Sequence, residues 1–254
     1  MSSGHVDNAR LRRAIVAFAD DANQRTMIDV LRAALVGDLL LDVTGVDLPE
    51  GASVDGAEVP LTGGIGPDGK PAMLAFTSDD QVARMHPAGA PHRAVAQPAG
   101  AVLEMAQRHG VAWLSIDPGD DSVAIAKKDI AYALRHPRND RLSRAIAAGE
   151  RGGSREAIVE ALQVDGPLLL AGELAEGQER EEHPRLRMTT RPDGRMSLLA
   201  FTSAPEIAAR HPEDGVISTT TSTVLERLHR STRFSSLVIN PAGPWVEIRR
   251  DELT

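Results

Sequence analysis

PDGKPAMLAFTSDDQVARMHP, residues 67–87, returns further along the chain as PDGRMSLLAFTSAPEIAARHP, residues 192–212. Aligned without a gap, eleven of the twenty-one positions are identical, and Lys70/Arg195, Met73/Leu198 and Val82/Ile207 are conservative exchanges. Chance does not produce such agreement, so the chain carries two copies of one domain. The duplication also acts as an internal control, because any residue proposed for chemistry can be checked against its counterpart in the sister copy.

Working outward, NARLRRAI from Asn8 returns as NDRLSRAI from Asn139, LRAAL from Leu31 as IVEAL from Ile158, and the triplet Leu39, Leu40, Leu41 as Leu168, Leu169, Leu170. Downstream, Val102, Leu103 and Glu104 match Val224, Leu225 and Glu226, and WLSIDPGDDSVAI from Trp113 parallels SLVINPAGPWVEI from Ser236. The expected domains are residues 1–136 and 137–254, each near the usual size of a globular unit and far longer than a solenoid repeat. They are expected to be related by a pseudo-twofold axis.

Each copy opens with apolar residues at helical spacing, Leu11, Ala14, Ile15 and Phe18, then Met27, Val30, Leu31 and Ala34. This predicts two amphipathic helices. A strand follows at Leu39 to Val43, then a polar loop from Gly45 to Gly56, then a hairpin turning at Pro67, Asp68, Gly69 and again at Pro192, Asp193, Gly194. Proline supplies a fixed φ and glycine tolerates positive φ, which suits that tripeptide to a turn. The next strand ends in Phe76, Thr77, Ser78 and in Phe201, Thr202, Ser203.

Each of those serines has Gln81 or Glu206 three residues on, which predicts a capping box opening a short helix. The helix should stop at His86-Pro87 and His211-Pro212, since a residue before proline is driven out of the helical region. A short strand, a helix around Val102 to His109, and a terminal strand pair around Asp117-Pro118 and Asn240-Pro241 complete the unit. The expected class is α+β: two tandem homologous domains, each a mixed sheet with packed helices.

With 42% hydrophobic and 25% charged residues in 254, the chain can bury two modest cores. No apolar run reaches the roughly 18–20 residues of a membrane span, and the N-terminus has no hydrophobic signal core. No membrane insertion and a cytoplasmic location are therefore expected. The absence of cysteine excludes disulfides, thiolate nucleophiles and cysteine-ligated metals. A formal charge of -8 and only seven aromatic residues argue against binding nucleic acid, which is driven by cationic neutralisation of phosphate and by base stacking. Arginine outnumbers lysine 25 to 3, as GC-rich bacterial coding favours. Arg135, Arg138, Arg141 and Arg144 read as a solvated helix and linker near the junction of the copies.

Several patterns could carry chemistry, and each has a simpler structural explanation. Gly64, Gly66 and Gly69 spell G-x-G-x-x-G, but Pro67 interrupts it, a strand follows instead of a helix, and the sister copy keeps only Gly194. Asp117, Asp120 and Asp121 could hold a hard cation, yet Asn240, Gly243 and Pro244 replace them and a turn accounts for them. His86 and His211 are the only matched histidines and suit proton transfer, but no matched acid or serine accompanies them at catalytic spacing. Ser78 and Ser203 lack the glycines of a nucleophile elbow. The threonine run from Thr219 reads as a polar approach to a helix, with Thr223 and Glu226 as another capping box. No catalytic, cofactor-binding or metal-ligating residue is assigned.

Taken together, LAFTS, the short helix ended by proline, and the later Asp-Pro or Asn-Pro turn between strands resemble the SseB-like family, named for an enhanced serine sensitivity phenotype. The resemblance covers most of both copies. Actinobacterial members fit the arginine-rich composition. The family implies accessory proteins without agreed catalytic residues, so no active site carries over onto this numbering. The expected function is that of a non-catalytic cytoplasmic accessory or regulatory protein acting through protein–protein interaction. Its protein partner is unidentified, and homo-oligomerisation is open. The alternatives are an amino-acid-related metabolite sensor, and an enzyme accessory with its site in the cleft between the copies. The exchanges Arg84/Ala209 and Trp113/Ser236 motivate the last.

Overall fold

The computed structural model describes residues 6–46, 63–119, 121–150, 152–173, 185–191 and 193–253. Of the expected features, the polar loop beyond Val46, Asp120 and Pro192 lie outside the described residues. The chain divides into two compact units, Met1–Tyr132 and Ala133–Thr254.

The first unit opens with α1 (Ala9–Asp20) and α2 (Gln24–Ala33), each capped by an asparagine whose side chain accepts a first-turn amide. Leu11 and Ile15 of α1, and Val30 and Leu31 of α2, are buried, as their spacing demands. Next come β1 (Asp38–Asp42), β2 (Gly63–Ile65), β3 (Pro71–Ala75), the short α3 (Asp79–Ala83), β4 (Ala94–Pro98), α4 (Ala99–Arg108), β5 (Trp113–Ile116), β6 (Val123–Ala126) and α5 (Lys127–Ala133). The helix expected at Val102 starts three residues earlier, at Ala99.

The sheet runs β2-β3-β5-β6. Its central pair is parallel, because α3, β4 and α4 cross between β3 and β5, while its outer pairs are antiparallel. A separate antiparallel ribbon, β1-β4, meets this sheet at one point: Leu40 and Phe76 exchange both backbone hydrogen bonds, at 2.8 and 2.9 Å. In the β2–β3 hairpin Gly69 takes φ +79°, and Trp113 lies over Gly66 so closely that a Cβ there would come within 2.2 Å of the indole.

The second unit repeats this order. It contains α6 (Asp140–Gly149), α7 (Arg155–Gln163), β7 (Pro167–Glu173), β8 (Arg185–Leu186), β9 (Met188–Thr190), β10 (Met196–Ala200), α8 (Ala204–Arg210), β11 (Gly215–Thr220), α9 (Thr221–Arg230), β12 (Phe234–Ile239) and β13 (Val246–Arg249). A 3-10 turn, Arg250–Leu253, follows. The sheet β13-β12-β10-β9 again has one parallel pair at its centre, β7 pairs β11 as β1 pairs β4, and Leu169 bridges Phe201 as Leu40 bridges Phe76. The short strand β8 pairs with β7.

Both faces of β7 and β10 are covered. Leu168, Leu170, Leu198 and Ala200 join the larger core, while Leu169, Ala171, Leu199 and Phe201 join a second cluster, as the two-residue period of a strand requires. Phe76 and Phe201 have no exposed surface.

Two expected capping boxes are corrected. Ser78 and Ser203 occupy N-cap positions in extended conformation, but neither side chain makes a cap hydrogen bond. The third amide of each helix, from Gln81 or Glu206, donates instead to the serine's main-chain carbonyl, at 3.1 and 3.2 Å. These helices start as tight turns that leave the hydroxyl nothing to cap. In α9 the cap is Thr220, whose side chain accepts from the Thr223 amide, so Thr223 is the third helical residue and not the cap.

Asn8 does more than cap α1. Its amide nitrogen also donates to the carbonyls of Val36 and Asp38, at 3.0 and 3.2 Å. Asn8→Ala removes the cap and strands both carbonyls, so it should cost about 2 kcal/mol in a urea titration. A loss near the few tenths typical of exposed surface changes would mean that α1 is anchored elsewhere.

Candidate functional site

The parallel strands β3 and β5 end side by side, which is where open α/β sheets most often carry polar sites. From β3 the chain continues into Thr77 and Ser78, and from β5 into Asp117. Asp117 has φ +51° and Asn240, its counterpart after β12, has φ +53°. This left-handed region tolerates Asp and Asn better than other residues with side chains. The conformation turns the side chain back onto the threonine. In the first unit the Asp117 carboxylate accepts from the Thr77 amide at 2.8 Å and from its hydroxyl at 2.6 Å. In the second, Asn240 Oδ1 accepts the Thr202 amide at 3.0 Å while its Nδ2 donates to the Thr202 hydroxyl at 2.9 Å.

The two latches differ in charge. Asp117 is 2% exposed, and burial raises its pKa above the ordinary carboxylate range, against the pull of the Thr77 bonds and of the Arg12 and Arg84 guanidiniums. Arg12 donates to the Thr77 hydroxyl at 3.1 Å and pairs with Asp7. In the second unit the aligned residues are Asn240, Ser143 and Ala209, all uncharged, and Ser143 donates to Thr202 at 2.7 Å. The carboxylate and the two guanidiniums near it are thus present in one unit and all absent from the other.

The matched histidines have unlike surroundings. His86 Nε2 lies 3.0 Å from Asp42 Oδ2 and 3.4 Å from the Thr44 hydroxyl. Its ring stacks on His92 at 5.8 Å, and His92 Nε2 is 3.2 Å from Asp79. Burial works to raise the pKa of Asp42, but its hydrogen bonds with Thr44 and its neighbour His86 outweigh that and hold it low. This half-buried carboxylate–imidazole pair can hold a proton or orient a polar ligand.

His211 instead meets the edge of Phe201 at 6.3 Å, and its Nε2 is buried with no hydrogen-bond partner. Asp214, 3.9 Å from its Nδ1, is held bidentately by Arg187 at 2.6 and 2.7 Å. Burial lowers the His211 pKa. α8 ends as expected, with His211 as its cap before Pro212, whereas α3 ends earlier than expected, at Ala83, so Pro87 is not what stops it; both prolines lie on the surface. Asp42, Thr44 and His92 were not singled out by the sequence, because the copies share none of them.

The other candidates fall into structural roles. Gly64 and Gly66 lie on and just after β2, and a strand follows them. Arg138 pairs with Asp140, Arg141 with Glu160, and Arg144 donates to the Asp140 carbonyl. Among the described residues no group of three or more His, Asp or Glu could hold a metal ion. No helix is long and apolar enough to cross a membrane, again among the described residues.

The family model described as SseB protein N-terminal domain matches twice, over residues 11–131 and 141–254. The chain belongs to the SseB family. Both SseB domains carry the threonine latch at the same point of the same topology. No curated protein and no solved structure matches the chain.

Two outcomes are expected. Thr77→Val leaves a buried carboxylate short of a donor and should cost roughly 2–3 kcal/mol, against about 1 kcal/mol for Thr202→Val in the uncharged latch. Equal losses in chemical denaturation would refute the charge difference. For His211 the folded pKa is depressed, so as pH falls below about 6.5 the unfolded chain takes up the proton first and stability is lost. His211→Phe should therefore flatten the decline in Tm between neutral pH and one unit below that value; an unchanged slope would place the acid sensitivity elsewhere.

Proposed function

We propose that this SseB-family chain is a non-catalytic accessory protein that acts in the cytoplasm by binding a protein partner. The observation that carries the reading is how the retained residues are used. Phe76 and Phe201 are core anchors, and Thr77 and Thr202 hold strand ends together through Asp117 and Asn240. The groups with chemical potential, Asp42, His86 and His92 in one unit and Asp214 with His211 in the other, do not recur in a common arrangement. Duplication of a reactive site would preserve its reagents, whereas duplication of a scaffold preserves contacts and frees the surface to diverge. Two related units on one chain also raise the effective concentration of the second contact once the first is made.

Affinity purification from native cells, with wild type and the His86→Gln/His211→Gln double variant in parallel, tests this. A stoichiometric protein retained by both supports the reading. Turnover of a metabolite that is lost in the double variant, with no protein retained, refutes it.

A further inference from the structure

The turn that follows the short helix is tied down in both units, but by cations of different kinds. In the second unit it runs from His211 to Asp214, and the buried Asp214 carboxylate takes two bonds from the Arg187 guanidinium, at 2.6 and 2.7 Å. His211 stands 3.9 Å from that carboxylate, beyond hydrogen-bond reach. A guanidinium keeps its charge throughout the physiological range. In the first unit the turn runs from His86 to His92, and its ties are imidazoles. His86 Nε2 meets Asp42 Oδ2, at the end of β1, at 3.0 Å, and His92 Nε2 meets Asp79, at the start of α3, at 3.2 Å. The two rings stack, 5.8 Å apart and 10° from parallel. Histidine is the side chain that changes charge between about pH 5 and 8.

The surroundings decide which way protonation acts. Asp42, with 3% of its side chain exposed, stays ionised across that range. Neutral imidazoles bond the two carboxylates as ordinary donors, whereas imidazoliums form charge-assisted bonds that are roughly twice as strong. The opposing effect is repulsion between the two charged rings. Coulomb energy falls with distance, so two attractions near 3 Å outweigh one repulsion across 5.8 Å. Other charged groups on the neighbouring elements leave this balance in place. Arg84 acts on Asp117 and reaches the Gln81 side chain at 3.4 Å. Asp80 and Arg93 are exposed, and β3 and β4 carry no charged residue. Glu104 and Arg108 are exposed on α4, which begins beside Asp38 at the far end of β1.

We propose that the turn from Met85 to His92 is an acid-tightened clamp: proton uptake by the stacked histidines fastens it to β1 and α3, and loss of those protons near neutral pH loosens it. What the clamp controls is surface, since Met85, Pro87, Ala88, Gly89 and Pro91 are all exposed. The matching turn of the second unit, held by Arg187, stays fixed at every physiological pH. Acidification therefore acts on one of two related surfaces. This device goes beyond the protein-interaction reading and does not depend on it.

Amide hydrogen exchange followed by NMR on the full chain tests the clamp, at about pH 5.5 and 7.5 with rates corrected for their intrinsic pH dependence. The amides of Ala90 and Arg93, bonded to the Pro87 carbonyl and the Thr44 hydroxyl, and that of Val43, bonded to the Arg93 carbonyl, report on the turn. The clamped form holds more protons, so its population grows as pH falls. Relative to the Leu40 and Phe76 amides of the core, protection at these three should be about fivefold higher at the lower pH. The Asp214 amide should show no such gain. His86→Gln/His92→Gln should abolish the gain, and Asp79→Asn, at a carboxylate 56% exposed and away from the core, should reduce it. Protection unchanged or lower in acid, an equal gain at Asp214, or a gain kept in full by the double histidine variant or by Asp79→Asn would overturn the proposal.

Discussion

The end of strand β3 is held from three directions at once, and the first unit is organised around it. Phe76 exchanges two backbone hydrogen bonds with Leu40, the Thr77 carbonyl accepts the Asn8 amide at 2.9 Å, and the Thr77 amide and hydroxyl both go to Asp117. One dipeptide therefore joins the ribbon β1-β4, the start of α1 and the end of β5. The second unit repeats the arrangement through Phe201, Thr202, Asn139, Leu169 and Asn240. A buried backbone group without a partner is costly, and here each partner comes from a distant part of the chain, so the dipeptide tolerates little substitution.

Around that fixed point the two units have diverged by compensated steps. Where the first unit has Asp117 with Arg12 and Arg84, the second has Asn240 with Ser143 and Ala209, an uncharged set that keeps the latch. Where the first has Trp113 over Gly66, the second has Ser236 donating to Glu247 at 2.6 Å, beside Arg191 on the same carboxylate, so hydrogen bonds stand in place of an aromatic lid. Either kind of change made singly would leave a buried charge unmatched or a void unfilled, which accounts for their appearance in groups.

Much of the fold is visible in the residues themselves. The apolar runs LLL and LLAF, the amphipathic openings and the Pro-Asp-Gly turn each follow from local preference. Repetition removed most of the remaining ambiguity by showing each pattern twice. The latch was not legible, because Asp117 and Asn240 look like turn residues until the fold lays them against a threonine forty or thirty-eight positions away. The serine caps were misjudged for a related reason: spacing offers a hydroxyl and an acceptor site, but the short helices satisfy that amide with a carbonyl. The approach of His92 to His86 depends on long-range packing that no periodicity encodes.

Strand β13 stands at one edge of the second unit's sheet, and beside it Arg155 binds Glu252 through two nitrogens, at 2.5 and 3.0 Å. Arg155 donates to the Glu247 carbonyl and Glu252 accepts the Arg249 amide at 2.8 Å, so two side chains occupy main-chain sites along the side of β13 that, among the described residues, no strand pairs. They act as a plug against sheet extension. An outermost strand with open amides and carbonyls invites edge-to-edge stacking of identical molecules, and this bidentate pair closes off that route to aggregation.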